Sequence, residues 1–256
     1  GVDGHPPFTD GDGNNLQDNK TIALDGVAPT ISSLSFPDEW YREGDTITVT
    51  LTLNEPPLVS GDPGLLLAGG ALRASFVRTL GTAVIFEYDV QSGDDLASIG
   101  WNLANCIGSA ELANITDLAG NPLSLSTTGT GSAGGIDTGI PQTPVIQNLG
   151  AGAYNTDQSL ILNTPAAGGS PETAEYSLDG GLTWNTWTAP VLLADGDYVI
   201  TARRLDAAGN VSSIATPRAV EIGKTFPAII AISCENPDGV YTEGDTLKFK
   251  VSFDRP

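Results

Sequence analysis

A five-residue segment with aspartate first and Gly-Asn last recurs three times, at Asp10 to Asn14, Asp117 to Asn121 and Asp206 to Asn210. Short Asp and Asn side chains at this spacing bring several oxygens onto one loop, the donor chemistry of a hard cation such as calcium. The first copy, Asp10-Gly11-Asp12-Gly13-Asn14, adds Asp12 as a third oxygen donor at alternate spacing. It lacks the distal bidentate glutamate of an EF-hand, so that motif does not apply. The same residues also suit a plain turn, because Asp at i and Gly at i+3 favour type I geometry with a left-handed residue following. Carboxylates also mark the places where one segment hands over to the next. Asp25 precedes Gly26-Val27-Ala28-Pro29, and Asp137 precedes Thr138-Gly139-Ile140-Pro141. A cation held between such an aspartate, an Asp-x-x-Gly-Asn loop and a carboxylate such as Asp45 or Glu43 would stiffen the joint. A solvated acidic linker is the plainer reading. The third junction departs from the pattern, with Glu221-Ile222-Gly223-Lys224 in place of the aspartate.

Other chemistry finds little material. One histidine, His5, and two cysteines, Cys106 and Cys234, leave too few ligands for a zinc site. The cysteines fall in different segments, so they read as two small buried hydrophobes and not as a disulfide framework. A nucleophilic triad would have to use His5, in a Pro-flanked terminal stretch. Carboxylate pairs abound, yet no segment gathers them with the aromatic subsites of a sugar-cleaving cleft. The expectation is therefore that the chain is not an enzyme. Ser177-Leu178-Asp179-Gly180-Gly181-Leu182-Thr183-Trp184 fits a sialidase-type Asp-box, but a propeller would show it in several blades, and a hairpin turned at Asp179-Gly180-Gly181 over a packed Trp184 is the favoured reading. Trp184 and Trp187 together offer a small aromatic platform for sugar, the handle for a carbohydrate- or protein-binding alternative.

The elements that must position these residues are strands. The block Tyr41-Arg42-Glu43-Gly44-Asp45-Thr46 returns as Tyr241-Thr242-Glu243-Gly244-Asp245-Thr246, and each copy opens an alternating run. Ile47, Val49, Leu51 and Leu53 alternate with threonines in the first, and Leu247, Phe249, Val251 and Phe253 alternate with Lys248, Lys250 and Ser252 in the second. Period-2 alternation buries one face and wets the other. With 31 glycines, 17 prolines and no long 3.6-residue period, the chain reads as all-β. Strands are expected at 46–53, 65–67, 72–77 and 83–90, with a final pair around 117–121. Further strands are expected at 159–162, 173–177, 191–193 and 198–204. The repeats set the boundaries: residues 1–28 as the tail of a preceding repeat, 29–139 as one β-sandwich and 140–223 as a second, shorter one. Residues 224–256 then supply the first strands of a further repeat resembling 29–56. The chain thus reads as an excerpt of a longer tandem array, where a structural or binding role precedes an enzymatic one.

The 256 residues carry a net charge of −20, from 31 acidic against 11 basic side chains. Such a field repels nucleic acid and anionic lipid and favours cations. No apolar run approaches the roughly 18 residues that cross a bilayer, so no membrane insertion is expected in this segment. The order Ala-Pro-Thr-Ile from Ala28, then Tyr-x-Glu-Gly-Asp-Thr, then Asp-x-Ala-Gly-Asn resembles the bacterial immunoglobulin-like repeats of very large surface adhesins, of the repeats-in-toxin extender type. Residues 176–184 and 204–210 resemble a second variety of the same repeats. The resemblance implies tandem immunoglobulin-like β-sandwiches, an extracellular or cell-surface location, and a stalk in which calcium stiffens successive domains. It places Asp10, Asn14, Asp117, Asn121, Asp206 and Asn210 near the metal, with Asp25 and Asp137 at the joints. The partners it implies are calcium and neighbouring repeats of the same chain. Surface glycan or protein, and self-association in an extracellular filament or sheath, are the alternatives.

Overall fold

The computed structural model describes residues 24–125, 128–163, 169–223 and 227–254. The chain divides between Thr138 and Gly139 into two compact units. Strands make up nearly all of the regular secondary structure of both, and two single-turn 3-10 helices in the first unit, at Ala68–Gly70 and Leu112–Asn114, are the helical elements among the described residues. No helix among them is long and apolar enough to cross a membrane.

The first unit contains β1 (Ile31–Ser35), β2 (Trp40–Tyr41), β3 (Thr46–Leu53), β4 (Leu58–Val59), β5 (Gly64–Leu67) and β6 (Leu72–Leu80). It continues with β7 (Ala83–Asp89), β8 (Ile99–Asn102), β9 (Ile115–Thr116), β10 (Thr130–Ala133) and β11 (Gly135–Ile136). An antiparallel five-stranded sheet runs in the order β1-β3-β7-β6-β5. The alternation of β3 determines its face: Ile47, Val49, Leu51 and Leu53 are buried while the intervening threonines are half-buried or exposed. Val84 and Phe86 of β7, Leu72 and Ala74 of β6, and Leu65 and Leu67 of β5 extend the same apolar surface. The opposing layer carries the pairs β8–β10, β2–β11 and β4–β9 and contributes Ile99, Ile107, Ile115, Leu123 and Ile136 to the core. The result is a β-sandwich. Cys106 lies fully buried in this core.

The second unit contains β12 (Gly152–Tyr154), β13 (Gln158–Leu160), β14 (Glu172–Ser177), β15 (Asn185–Thr186) and β16 (Val191–Leu193). Then follow β17 (Gly196–Asp206), β18 (Arg218–Ile222), β19 (Ile229–Cys234) and β20 (Phe249–Phe253). Its five-stranded sheet runs β12-β18-β17-β14-β15, with β12 parallel to β18, and β13 pairs with β16. Leu160, Leu162, Leu193, Ile200, Ala202 and Val220 are among the residues that form its core. Arg204 is also fully enclosed. Its Nη2 donates to the carbonyl and side-chain oxygens of Asn163, both at 2.9 Å, and Nη1 donates to the Gln142 carbonyl at 3.2 Å. Its Nε faces Glu172 Oε2 at 3.8 Å with no hydrogen bond between them.

The hairpin β19–β20 repeats β1–β3 down to its irregularity. Ile31 pairs with Leu53 and Leu34 with Leu51, with a register shift between Ile31 and Ser33. Ile229 pairs with Phe253 and Ile232 with Val251, with a shift between Ile229 and Ala231. The duplicated Tyr-x-Glu-Gly-Asp-Thr block is a turn in both places. Asp45 accepts the Arg42 amide and Asp245 the Thr242 amide, while Gly44 and Gly244 adopt the left-handed conformation at φ of 86° and 99°. Cys234 lies exposed on this hairpin, against the expectation of burial, because no second layer of the described residues covers it.

Candidate metal centre and neighbouring sites

Asp117 is buried in the loop that follows β9. Its Oδ1 accepts the amides of Ala119 (2.8 Å) and Asn121 (2.9 Å), and its Oδ2 accepts the Asn121 side-chain amide (2.7 Å). The Asp117 amide donates to the Asn121 carbonyl at 3.1 Å, and Gly120 takes φ of 92°. These hydrogen bonds, led by that from the Asn121 side chain, hold the Asp117 carboxyl below its ordinary range. The group therefore remains an anion at neutral pH. Instead of the expected strand pair at 117–121, the chain forms a loop that satisfies its own donors.

The Asn121 side chain reaches further, donating to the Asp25 carbonyl at 3.0 Å and weakly to that of Val27 at 3.4 Å. This draws the segment before β1 across the loop. Ser124 then donates its amide to the Pro29 carbonyl, fixing the path. The Asp25 side chain accepts the Val27 amide at 3.0 Å. Asp25, Glu55 and Asp117 each present one carboxylate oxygen, and these three oxygens lie within 4.8 Å of one another.

Glu55 reaches this place through its neighbour. Asn54, just past β3, accepts the Thr30 amide on Oδ1 at 2.7 Å, and its own amide donates to the Thr30 carbonyl. The same clasp recurs at Asn163 with Val145 and at Asp254 with Ala228. Of the three clasp residues, only Asn54 is followed by a carboxylate; Thr164 and Arg255 follow the others. The sequence suggested Asp45 or Glu43 as the third carboxylate. Asp45 is instead engaged in its own turn and in an ion pair with Arg42. The available signal for Glu55 was an Asn or Asp one residue beyond each hairpin's last apolar position.

Three oxygen donors from carboxylates, one buried and two more open to solvent, form a hard set suited to calcium, which accepts six to eight oxygens and tolerates irregular geometry. None of the ion pairs among the described residues engages Asp25, Glu55 or Asp117. The donor set fits calcium.

The remaining candidates lie apart. Asp206 to Asn210 reproduces the loop, with Asn210 donating from its amide (2.8 Å) and side chain (2.9 Å) to the Asp206 carboxylate. No further carboxylates join Asp206 in a cluster of three among the described residues. Asp137 is buried, donates its amide to the Tyr41 carbonyl, and likewise stands outside the cluster. Asp10, Asp12 and Asn14 fall outside the described residues.

The Asp-box is a tightly bonded turn. Asp179 accepts hydrogen bonds from the Thr183 hydroxyl and amide, the Ser177 hydroxyl and the Leu182 amide, which together, led by the Thr183 hydroxyl, lower its pKa. Both tryptophans are half-buried. Trp187 packs against the core, whereas Trp184 lies under the Arg203 guanidinium at 4.2 Å, itself paired with Glu175 at 2.8 Å. One face of Trp184 is thus occupied by a cation, and the two rings do not form a free platform. A groove of about 810 Å³ borders the Asp-box turn, lined by Leu178 and Asp179 together with Ala153, Asp197, Tyr198 and Glu221 among others.

No family model matches this sequence, and no match was found among curated proteins. Among solved structures, the chain is similar to fibronectin(III)-like modules of Clostridium thermocellum CbhA. That match has 11% identity and a TM-score of 0.35, covering 76% of this chain and 92% of that one. It is also similar to the Bacteroides ovatus mixed-linkage glucan utilization locus protein SGBP-B, described in complex with a mixed-linkage heptasaccharide. There the identity is 13% and the TM-score 0.23, over 84% of this chain and 50% of that one.

Proposed function

We propose that this chain is a non-enzymatic spacer in a bacterial cell-surface or secreted protein built from tandem β-sandwiches, stiffened by calcium where a linker crosses a domain. The observation that carries this reading is the convergence of Asp25, Glu55 and Asp117. One carboxylate belongs to the segment entering the sandwich, one follows the first hairpin, and one anchors the Asp-x-x-Gly-Asn loop. A cation joining them ties the entering segment to the body of the domain. The surrounding residues already hold that segment in place, since Asn121 grips the Asp25 carbonyl, Asn54 clasps Thr30, and Ser124 fixes Pro29. When bound, calcium would supply charge neutralisation and a multidentate crosslink. The net charge of −20 suits such a spacer, since like-charged segments resist collapse until cations bridge chosen points.

The test is small-angle scattering and calorimetry with calcium and with chelator, on the parent and on Asp25→Asn combined with Glu55→Gln. The spacer reading expects calcium to raise the melting temperature and lower the flexibility of the parent alone.

The groove on the second unit favours a second reading, a carbohydrate- or protein-binding module. Asp197 and Glu221 pair across adjacent strands at its edge and offer acceptors for hydroxyl groups. A glycan screen on the full chain, repeated with Asp197→Ala, tests it.

A further inference from the structure

The turn between β5 and β6 holds its backbone in left-handed geometry for three residues running. Ala68 has φ of 49°, the one positive value at a non-glycine among the described residues, and Gly69 and Gly70 follow at 68° and 96°. Such backbone is costly at a residue with a side chain and persists only where the surroundings fix it. A Cβ at Gly69 or Gly70 would meet nothing within 4 Å, so space opens beside the turn. There a pocket of about 330 Å³ is lined by Leu66, Gly69, Gly70, Trp101, Asn102 and Asn105. Backbone pairing holds its walls. The Leu66 amide donates to the Cys106 carbonyl at 2.6 Å, Leu65 bridges Ile107, and the Leu103 amide donates to the Gly129 carbonyl at 2.8 Å. Leu103 and Cys106 turn into the core, while Asn102 and Asn105 are exposed. Trp101 stands directly opposite Gly131, where a Cβ would lie 2.4 Å from the indole. The glycine thus lets the half-buried ring settle against β10 while it lines the pocket.

We infer that this pocket is a subsite for a neutral pyranose sugar. None of its six lining residues is charged, on a chain of net charge −20, so it offers no counter-charge to an ionic ligand. Its polar groups are carboxamides. Asn102 Oδ1 accepts the Ala104 amide at 2.9 Å, and Asn102 Nδ2 has no partner among the described residues. The Asn105 carboxamide has none at either end. A carboxamide is donor and acceptor at once, as a hydroxyl is, so adjacent sugar hydroxyls satisfy both of its ends. The indole supplies a flat apolar surface for the C–H face of the sugar ring. A pocket of this volume, partly apolar with a few convergent polar groups, suits one small ligand. The site lies within the first unit and rests neither on the calcium reading nor on the groove of the second unit.

The test is two-dimensional amide NMR of the full chain in chelator. Methyl β-glucoside, methyl β-galactoside and methyl α-mannoside are each titrated to about 50 mM, with glucuronic acid as the charged control. At least one neutral glycoside is expected to shift the Trp101 indole N–H and the Asn102 and Asn105 side-chain amides saturably, with a dissociation constant on the order of a few millimolar. Asn105→Ala, at an exposed position, should weaken that binding about fivefold, the effect of one hydrogen bond. Trp101→Phe, which keeps a smaller aromatic surface, should weaken it too. No saturable shift with any of the three glycosides would overturn the inference, as would shifts confined to the second unit. Parent-like affinity in Asn105→Ala, or equal binding of glucuronic acid, would overturn it as well.

Discussion

Arg204 offers the sharpest test of how the second unit is held together. Its guanidinium is fully buried, donates to Asn163 twice and to Gln142 once, and faces the half-buried Glu172 carboxylate at 3.8 Å. Arg204→Ala would remove the donors of the Asn163 and Gln142 carbonyls, leave Asn163 Oδ1 with the Val145 amide alone, and leave Glu172 without its cation. Breaking one side of a buried pair costs about 3–5 kcal/mol. At about 4 °C per kcal/mol for a domain of this size, that is roughly 12–20 °C in Tm. The expensive part is the orphaned carboxylate, so Arg204→Met combined with Glu172→Leu should recover more than half of the loss. Such a swap replaces the ion pair with apolar volume and is often neutral or better. Differential scanning calorimetry on the full chain reads both variants, and hydrogen exchange across β14 and β17 assigns the affected transition. A loss below about 1 kcal/mol for Arg204→Ala would refute the reasoning, as would a double variant no better than the single one.

Asn54→Ala should remove the side-chain half of the clasp on Thr30, cost about 1 kcal/mol, and weaken the calcium response with it, as read by calorimetry at several calcium concentrations. Asp117, Glu111 and Asp179 all have lowered pKa values in the folded chain, so each contributes stability above its unfolded value that is lost as pH falls through its folded value. Melting temperature should therefore be level from neutral pH down to about 5 and fall below about 4. Burial raises the Cys106 thiol to about 11, while Cys234 is exposed, so a thiol reagent at neutral pH should label one site in the native chain and two after unfolding. Arg203→Ala should uncover Trp184 and shift its fluorescence toward that of solvated indole, whereas the half-buried Trp187 keeps its packing against the core.

The strands were legible where alternation was strict. Thr46–Leu53 runs with the bounds its pattern predicts, because a one-residue slip would turn four apolar side chains outward. β18 was not foreseen, since Arg218 and Glu221 dilute the pattern within five residues. The Asp-x-x-Gly-Asn loops announced carboxylates, but not that Asn121 would spend its amide on Asp117 and Asp25. The contact with Asp25 reaches a segment 96 residues earlier in the chain, which no local pattern encodes. Glu55 was missed for the same reason: its position is set by the Asn54–Thr30 clasp, a tertiary contact. Indoles usually bury, which points Trp184 to the core, but Arg203 of β17 competes for its ring.

The central claim is that calcium at Asp25, Glu55 and Asp117 stiffens this chain, and a calcium-dependent melt tests it most directly. Scanning calorimetry should be run at about 10 mM calcium, well above the dissociation constants usual in extracellular modules, and in chelator at constant ionic strength. The parent is compared with Asp25→Asn combined with Glu55→Gln. For a site of that affinity, the transition of the first unit should rise by about 5–10 °C in the parent and by little in the variant. Equal melting temperatures with and without calcium in the parent would contradict the claim, as would an undiminished rise in the variant.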